Sequence, residues 1–350
     1  MKKKVLLGMS GGVDSSVSAI LLKQAGYEVI GATMILWNGN TSIIQDAKKV
    51  CEELEIQHVV LNYEEQFRKH VINDFISCYQ CATTPNPCIE CNRYLKFGVL
   101  YETAKELGCD FIATGHYAKT KWNDEYKQYI LTKSNSEKKD QSYFLYSISS
   151  EVLDKLLFPL SDFTDKTEIR KIAEENNLVV AKKKDSQEIC FIPDDDYAKF
   201  LQENGSKIKE GNIVLKDGTT LGKHKGLFYY TVGQRKGLGI AYPEPLYVLD
   251  LNIKKNEVVV GREEQLYSKE LYANDLNFLI KNINLTKPIE VMAKVRYRSK
   301  PAKAVLEIIK KDNVIDKAKV VFEEPQRAVT SGQSVVFYID DIVLGGGKII

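Results

Sequence analysis

Residues 8–17, GMSGGVDSSV, separate an apolar run, KVLL, from a helix-like segment that continues as SAILLKQAGYEV. Glycines in such a turn allow left-handed backbone angles and close approach to a ligand. The backbone N–H groups at the start of the following helix favour an anion. The stretch therefore predicts a nucleotide phosphate site, with the hydroxyls of Ser15 and Ser16 as donors and Asp14 as a ligand for Mg2+. A glycine-rich turn that binds nothing is the alternative interpretation.

This loop lacks the Gly-Lys-Ser/Thr sequence of a Walker A motif. In that motif the lysine reaches the β- and γ-phosphates. Transfer of the γ-phosphate is therefore not implied by the sequence.

Strand-like and helix-like segments alternate through the first half of the chain. We predict strands at residues 4–9, 28–36, 57–63 and 110–118, and helices at residues 15–27, 41–56 and 95–109. This alternation is typical of an α/β domain with a doubly wound parallel sheet. The polar stretch KSNSEKKDQS, residues 133–142, predicts an exposed loop.

After about residue 205 the pattern changes to short strands broken by Gly and Asp-Gly, and after about residue 245 it is strand-like almost throughout. Such a pattern predicts small all-β domains, one of them a barrel. We expect a catalytic domain at residues 1–205, a small β-rich domain at 206–265 and a C-terminal β-barrel at 266–350.

The composition is that of an ordinary globular protein, with 27% charged and 44% hydrophobic residues. A net charge of +2 does not by itself indicate a nucleic-acid partner. No apolar run reaches the roughly 18 residues that span a bilayer, and the first residues contain no signal-peptide core. We therefore expect a cytoplasmic protein that does not act at a membrane. The sequence does not show the oligomeric state, and a monomer is the default expectation.

Seven cysteines in 350 residues are too few for a disulfide scaffold. Cys88 and Cys91 form a C-x-x-C pair at the start of a predicted helix, and a helix N-terminus lowers the pKa of a thiol. Cys190 lies in the polar stretch KKKDSQEICFIP, which predicts a loop, although a small buried residue is the alternative. With Cys78 and Cys81, the pair would also complete a four-cysteine zinc set, at a spacing tighter than in zinc ribbons.

Further motifs follow the glycine loop in a fixed order: TPNPCIECN, KFG, ATGHYAK, KDQSYFL, DSQEICFIP, GLFYYTVGQRKGLGI, VRYRS, AVTSGQSVVFY and LGGG. Through these motifs nearly the whole chain resembles the tRNA-specific 2-thiouridylases, the MnmA family of PP-loop ATP pyrophosphatases. The resemblance implies an adenine nucleotide alpha hydrolase-like domain that uses ATP to adenylate a substrate oxygen, followed by two β domains that grip tRNA.

The same resemblance implies a reaction. ATP and Mg2+ would adenylate the C2 oxygen of the anticodon wobble uridine, and sulfur from a persulfide on Cys190 would replace that oxygen. Cys91 matches the family's nucleophile, which would attack the persulfide and free sulfide or close a disulfide with Cys190. Family precedent gives the tRNAs for Lys, Glu and Gln as substrates, and a cysteine desulfurase or a persulfide carrier as the sulfur donor.

The resemblance also implies three groups of binding residues. ATP would be bound by Gly8, Met9, Ser10, Gly11, Gly12, Val13, Asp14, Ser15, Met34 and Gly115. The target base would be contacted by Asn86, Pro87 and Cys88. The rest of the tRNA would be contacted by His116, Lys139, Asp140, Gln141, Arg296, Tyr297 and Gln333.

The chain departs from the family pattern at its cysteines. Cys78 and Cys81 are additional, and Cys88 occupies a position where the family has either Asp or Cys. Three thiolates, from Cys88, Cys91 and Cys190, are enough to hold a 4Fe–4S cluster with one open iron, so cluster-bound sulfide is an alternative to the persulfide. Two other classes stay open: a different PP-loop adenylating ligase, which does not need Cys190, and a non-enzymatic tRNA-binding protein stapled by zinc.

Overall fold

The computed structural model of the chain describes residues 2–37, 41–183, 189–192, 196–312 and 314–350. Its helices are α1 (Val13–Gln24), α2 (Thr41–Glu53), α3 (Glu64–Phe67), α4 (Asn73–Gln80), α5 (Pro87–Glu90), α6 (Leu100–Glu106), α7 (Lys166–Glu175) and α8 (Tyr197–Glu203). Two π-helical segments, Arg68–Ile72 and Cys91–Val99, join α3 to α4 and α5 to α6.

The strands of the first half are β1 (Lys4–Gly8), β2 (Glu28–Ile35), β3 (Gln57–Asn62), β4 (Phe111–Ala113), β5 (Ala118–Asn123), β6 (Gln128–Lys133) and β7 (Leu156–Leu157). Those of the second half are β8 (Gly211–Leu215), β9 (Thr220–His224), β10 (Tyr247–Asn252), β11 (Glu257–Gly261), β12 (Tyr267–Phe278), β13 (Ile289–Lys294), β14 (Ala302–Lys311), β15 (Val314–Arg327), β16 (Ser334–Ile339) and β17 (Ile342–Ile349).

A parallel sheet with the strand order β3-β2-β1-β4-β7 forms the centre of the first domain. Side chains on a strand point to alternate faces. Accordingly, Leu6 of β1 joins one hydrophobic core, whereas Val5 and Leu7 join another. Residues of α4, α6 and the π-helical segments pack in the core that contains Leu6. Residues of α1, α2 and α7 pack in the core that contains Val5 and Leu7. The predicted doubly wound parallel sheet is confirmed.

Two further β units follow, as the sequence predicts. A four-stranded sheet, β10-β11-β8-β9, has its own small core. Strands β12, β15, β14, β13, β16 and β17 pair in that order, and β17 also pairs with β12, so that they close a barrel. The domain boundaries after residues 205 and 265 stay predictions. No helix in the described part of the chain combines the length and apolar character needed to cross a membrane.

The hairpin β5–β6 belongs to the first domain by sequence but extends the sheet of the barrel, because β6 pairs with β17 at Thr132 and Ile342. The polar stretch that follows this hairpin is not the exposed loop predicted from sequence. Asp140 and Ser142 are buried there. The Asp140 carboxylate accepts hydrogen bonds from the Ser134 backbone N–H and from the Ser142 backbone and hydroxyl, at 2.8 to 3.3 Å, which offsets the cost of burying it.

The end of the barrel holds the segment that leads to the C-x-x-C pair. The Gln333 side-chain amide donates to the carbonyls of Thr84 (3.0 Å) and Pro85 (3.1 Å), and the Thr84 N–H donates to the Ser331 carbonyl (2.9 Å). Gly332 has a φ of +88°, and a Cβ there would lie 2.8 Å from the Thr84 nitrogen. The close approach therefore requires glycine.

A partly buried ion cluster connects the last strand to the same region. The Lys348 ammonium lies 3.3 Å from carboxylate oxygens of both Asp74 on α4 and Glu90 on α5. The Glu90 side chain is 9% exposed. Burial raises the pKa of Glu90 most, Asp74 raises it further, and Lys348 opposes both.

We expect Lys348→Met to lower the free energy of unfolding by about 2 kcal/mol at neutral pH, because it leaves a buried carboxylate without its cation. The deficit relative to the unmodified chain should shrink as the pH falls toward about 5, since protonation of Glu90, whose pKa is already raised, removes the uncompensated charge. Urea unfolding at several pH values measures both effects.

The matched control is Lys303→Met on β14, where the lysine side chain is 76% exposed and 3.9 Å from the Glu323 carboxylate. That variant should unfold like the unmodified chain, since exposed pairs contribute little. A deficit for Lys348→Met that stays constant with pH would contradict a role for the Glu90 charge.

Candidate active site

The glycine loop connects β1 to α1 at the C-terminal edge of the parallel sheet. Gly11 has a φ of +60°, and a Cβ there would lie 2.9 Å from the Ile43 carbonyl oxygen. Gly12 is the extended N-cap of α1 and makes no side-chain capping bond. The first turn of α1 therefore presents backbone N–H groups to the loop, as the phosphate site predicted from sequence requires.

The predicted hydroxyl donors are only partly available. The Ser15 hydroxyl accepts a hydrogen bond from the Ser10 N–H (3.2 Å), lies 3.2 Å from the Ser10 hydroxyl and donates to the Gly12 carbonyl. Ser16 is fully buried, and its hydroxyl donates to the same carbonyl at 2.9 Å. The prediction that Ser16 contacts a phosphate is therefore wrong, because its side chain is turned back into the helix.

Several of the predicted ATP-binding residues come together at this edge. The Asp14 carboxylate accepts a hydrogen bond from the Tyr117 hydroxyl (2.8 Å) and pairs with the Lys166 ammonium (2.6 Å). Gly115 packs against the start of α1, where a Cβ would lie 3.0 Å from the Ser15 nitrogen. Met34 is half-buried near the end of β2, beyond the last pair that this strand makes with β1.

The three cysteines of the predicted reaction lie close enough for the charge of one thiolate to affect the pKa of another. Cys88 and Cys91 lie three residues apart, where α5 passes into the π-helical segment Cys91–Val99. Cys190 lies on the turn at residues 189–192, as predicted, and its neighbours at 185–188 and 193 lie outside the described residues. Burial raises the pKa of Cys190 to about 12, and the charges of Cys91 and Cys88 add to that effect.

The thiols differ in their access to solvent. Cys91 is buried, whereas Cys88 and Cys190 keep exposed surface within closely packed surroundings. Burial raises the pKa of both Cys88 and Cys91, although Lys96 opposes it. The expectation that a helix N-terminus lowers these pKa values is therefore wrong. Helix α5 has only four residues, and its dipole does not compensate for desolvation.

His116 and Lys96 line the same region. The His116 Nδ1 atom lies 2.8 Å from the Thr114 hydroxyl, and the ring packs against Phe97 and Phe158. Burial, with a contribution from Lys96, holds the pKa of His116 well below its ordinary value, so the ring is neutral near pH 7. Lys96 belongs to the motif KFG, but the motif gave no sign of its role: its charge lowers the pKa of His116 and of all three thiols.

The residues predicted to contact tRNA mostly make contacts within the chain. Gln141 accepts a hydrogen bond from the Tyr117 N–H at 3.0 Å, and the Arg296 guanidinium donates to the carbonyls of Val232 (3.1 Å) and Ala328 (2.8 Å). The Tyr297 ring centroid is 4.4 Å from that of Phe144. Asp140 and Gln333 have the structural contacts given above, and Lys139 is half-buried beside Asp140. Among them, Arg296 and Tyr297 join the barrel to other domains. The role of all these residues in tRNA binding stays a prediction.

Asn86 and Pro87 precede Cys88 directly. Asn86 is the N-cap of α5 and makes no side-chain capping bond, so its amide is not used by the helix. Pro87 is buried at the first position of that helix. Together these residues place the Cys88 thiol beside Cys91 and Cys190, and we call the shared surroundings of the three thiols the pocket.

The cysteines do not form a metal site among the residues that the structure describes, where no three His, Cys, Asp or Glu side chains are placed to hold an ion. The nearest polar contact of the Cys78 thiol is the Asp74 carboxylate, at 3.7 Å, and Cys81 is exposed. Neither the four-cysteine zinc set nor the three-cysteine cluster set fits this arrangement.

Three family models match the chain in succession: a tRNA methyl transferase HUP domain at residues 3–194, a tRNA methyl transferase PRC-barrel domain at 198–262 and an aminomethyltransferase beta-barrel domain at 268–349. Curated relatives named tRNA-specific 2-thiouridylase MnmA match over the full length. The one from Clostridium botulinum (strain Alaska E43 / Type E3) is 50% identical over 99% of this chain and 98% of its own. The one from Clostridioides difficile (strain 630) is 47% identical over 100% and 98%.

The electrostatics of the pocket predict how Cys190 reacts. Its thiol has exposed surface, but a pKa of about 12 keeps it protonated, and only thiolates react rapidly with iodoacetamide. We expect the alkylation rate of Cys190 to keep rising through about pH 9, and Lys96→Met to slow it roughly threefold by removing a nearby positive charge. Peptide mass spectrometry over a time course gives the rates.

The matched control is Lys105→Met on α6, an exposed lysine that pairs with Glu102. It should leave the rate for Cys190 unchanged. A rate that levels off below about pH 8 would mean that the thiolate forms more easily than the surroundings of Cys190 indicate.

Proposed function

Because this chain belongs to the family of tRNA-specific 2-thiouridylases, we propose that it forms 2-thiouridine at the wobble position of tRNA by adenylation followed by persulfide transfer. Members of this family are ATP-dependent tRNA sulfurtransferases, and the enzyme class of the chain follows from its membership. The finer steps, the residues that perform them and the substrates are our proposal. Two of the family models carry the words methyl transferase, which do not describe the formation of 2-thiouridine. The full-length relatives are named for 2-thiouridine formation.

The first step is adenylation of the C2 oxygen of uridine, which is otherwise a poor leaving group. That oxygen attacks the α-phosphorus of ATP, and the bond from this phosphorus to the β-phosphate oxygen breaks. The electron pair leaves with pyrophosphate. The N–H groups at the start of α1 and the Ser10 hydroxyl face the phosphates and stabilise the departing charge.

A magnesium ion fits this site through Asp14. Its carboxylate provides the oxygen donors that Mg2+ prefers, next to the phosphate loop, and its two oxygens are held by Tyr117 and Lys166. A bound Mg2+ would neutralise phosphate charge during adenylation. Met34 and Gly115 border the position of the adenosine.

The second step replaces AMP with sulfur. The terminal sulfur of a Cys190 persulfide attacks C2, and the C2–O bond breaks with its electron pair on AMP. Cys91 then attacks the Cys190 sulfur, the S–S bond to the base breaks, and 2-thiouridine leaves. A disulfide between Cys91 and Cys190 is formed, and a dithiol reductant must restore the two thiols before the next turnover.

The observation that carries this proposal is that Cys91 packs in one hydrophobic core with Ile189 and Phe191, the residues on either side of Cys190. The raised pKa of Cys190, to which Cys91 and Cys88 contribute, agrees with this proximity. A different adenylating ligase has no use for Cys190 in such a place. The wobble base must leave the anticodon stack to reach the pocket. Asn86, Pro87 and Cys88 line its edge, and the neutral His116 offers a hydrogen bond and no charge.

We assign tRNA binding to both β units together with the first domain. Family precedent suggests the tRNAs for Lys, Glu and Gln, and a cysteine desulfurase or persulfide carrier as the donor of sulfur. A 4Fe–4S cluster on Cys88, Cys91 and Cys190 was the alternative from sequence, and no step is derived through it because the three thiols are not gathered as ligands in the described residues.

The test uses anaerobically purified protein with ATP, Mg2+, unmodified tRNA, a dithiol reductant, and a cysteine desulfurase with cysteine. We expect wobble 2-thiouridine and an equal amount of AMP. Cys190→Ala and Cys91→Ala should each lose more than about 100-fold of the product, since each removes a nucleophile. Cys109→Ala, a partly buried cysteine outside the pocket, is the matched control and should keep full activity. Mass spectrometry of the digested nucleosides measures the product.

Iron and zinc are counted in the same samples. Product that depends on Cys190 without bound iron supports persulfide transfer. Product that forms only with iron bound would replace the persulfide with the cluster. Release of AMP without any thiolated uridine would leave an adenylating enzyme that acts on another substrate.

A further inference from the structure

Two lysines contact the glycine loop from a distant part of the chain. The Lys166 ammonium lies 2.6 Å from the Asp14 carboxylate. The Lys183 ammonium donates to the Gly11 carbonyl at 2.9 Å and pairs with the Asp46 carboxylate at 2.7 Å. Both therefore lie within one side-chain length of the proposed phosphate site. Lys183 belongs to the basic run that opens KKKDSQEICFIP, whereas Lys166 belongs to none of the motifs quoted above.

The fold places the two lysines as one unit. Lys166 is the first residue of α7, which packs on α1, and its side chain is only 13% exposed. Lys183 lies after α7, and the Arg170 guanidinium of that helix donates to the carbonyls of Ala181 (3.0 Å) and Lys183 (3.1 Å). Helix α7 therefore holds the backbone of both lysines near the loop.

The loop needs such charges. The turn itself contains no lysine, and the carboxylates of Asp14 in the loop and of Asp46 beside it would repel phosphate. With Lys166 and Lys183 paired to them, the two carboxylates are neutralised. An incoming triphosphate brings several negative charges into a partly desolvated site, where opposite charges interact strongly.

We infer that Lys166 and Lys183 are the cations that bind the β- and γ-phosphates of ATP, in the role that the loop lysine has in Walker A proteins. In the chain without nucleotide each lysine pairs with a carboxylate beside the loop. When ATP binds, the ammonium groups exchange these partners for phosphate oxygens, and the Asp14 carboxylate becomes free for Mg2+.

The exchange also bears on catalysis. During adenylation the bond between the α-phosphorus and the bridging oxygen breaks, and the negative charge grows on the pyrophosphate. Two ammonium groups on the β- and γ-phosphates stabilise this charge more in the transition state than in bound ATP. The catalytic part of this inference rests on the proposed adenylation. The part that concerns nucleotide binding does not.

Binding is measured by calorimetry on the full chain with AMP and with α,β-methylene-ATP, in each case with and without Mg2+. We expect Lys166→Met and Lys183→Met each to weaken binding of the triphosphate analogue about tenfold, the effect of one charge-assisted hydrogen bond. Binding of AMP should not change, because AMP has no β- or γ-phosphate. Lys166→Arg should keep binding within about threefold, since the charge is retained.

The matched control is Lys171→Met on the outer face of α7, where the lysine side chain is 76% exposed and 3.7 Å from Glu175. It should bind both nucleotides normally. Normal binding of the analogue by both Lys166→Met and Lys183→Met would overturn the inference. An equal loss for AMP and for the analogue would also overturn it, because the lysines would then only maintain the shape of the loop.

These outcomes separate the two proposals. Neither nucleotide assay needs tRNA or sulfur. Selective loss of the triphosphate in a protein that makes no 2-thiouridine would support the lysine site and contradict the proposed function. Unchanged binding by the methionine variants in a protein that does make 2-thiouridine would contradict the lysine site alone.

Discussion

The hydrogen bonds from the Gln333 side chain to the carbonyls of Thr84 and Pro85 fix the segment on which the chemistry depends. That segment has little structure of its own, since α5 is a single four-residue turn. Its shape comes from the end of the barrel, which approaches closely at Gly332 and adds the ion cluster around Lys348. The barrel is therefore part of the proposed active site as well as a candidate surface for RNA, and the position of Cys91 depends on strands more than 200 residues away in sequence.

Desolvation dominates the electrostatics of the thiol pocket. It raises the pKa of Cys88, Cys91 and Cys190, although the positive charge of Lys96 lowers it. It also keeps His116 neutral. A chain whose resting thiols are protonated is protected from adventitious oxidation, because the reactive form is rare. A protonated thiol is also a poor nucleophile. A persulfide remains reactive in the same surroundings, because its terminal S–H ionises more easily than the S–H of an ordinary thiol.

Local signals predicted the first domain well. The spacing of apolar residues and the position of the glycines predicted β1, α1, β2 and the glycine loop, and the C-x-x-C motif predicted Cys88 and Cys91 at the start of a helix. What could not be predicted depends on contacts that are distant in sequence. Nothing local shows that β6 pairs with β17, that Asp140 is buried, or that Lys166 lies on Asp14. The direction of the thiol pKa shifts was missed for the same reason, since burial is set by the packing of several elements.

The pairing of Lys348 with Asp74 joins residues 274 positions apart. During synthesis the first domain leaves the ribosome long before β17 exists, and domains generally begin to fold as they emerge. The parallel sheet and the phosphate loop can form in this interval, but the segment before Cys88 still lacks its partners. Contacts of such sequence separation form slowly because the intervening loop must close first. A nascent chain would thus acquire its nucleotide site early and its sulfur chemistry only at the end of translation, so that incomplete chains are inactive towards tRNA.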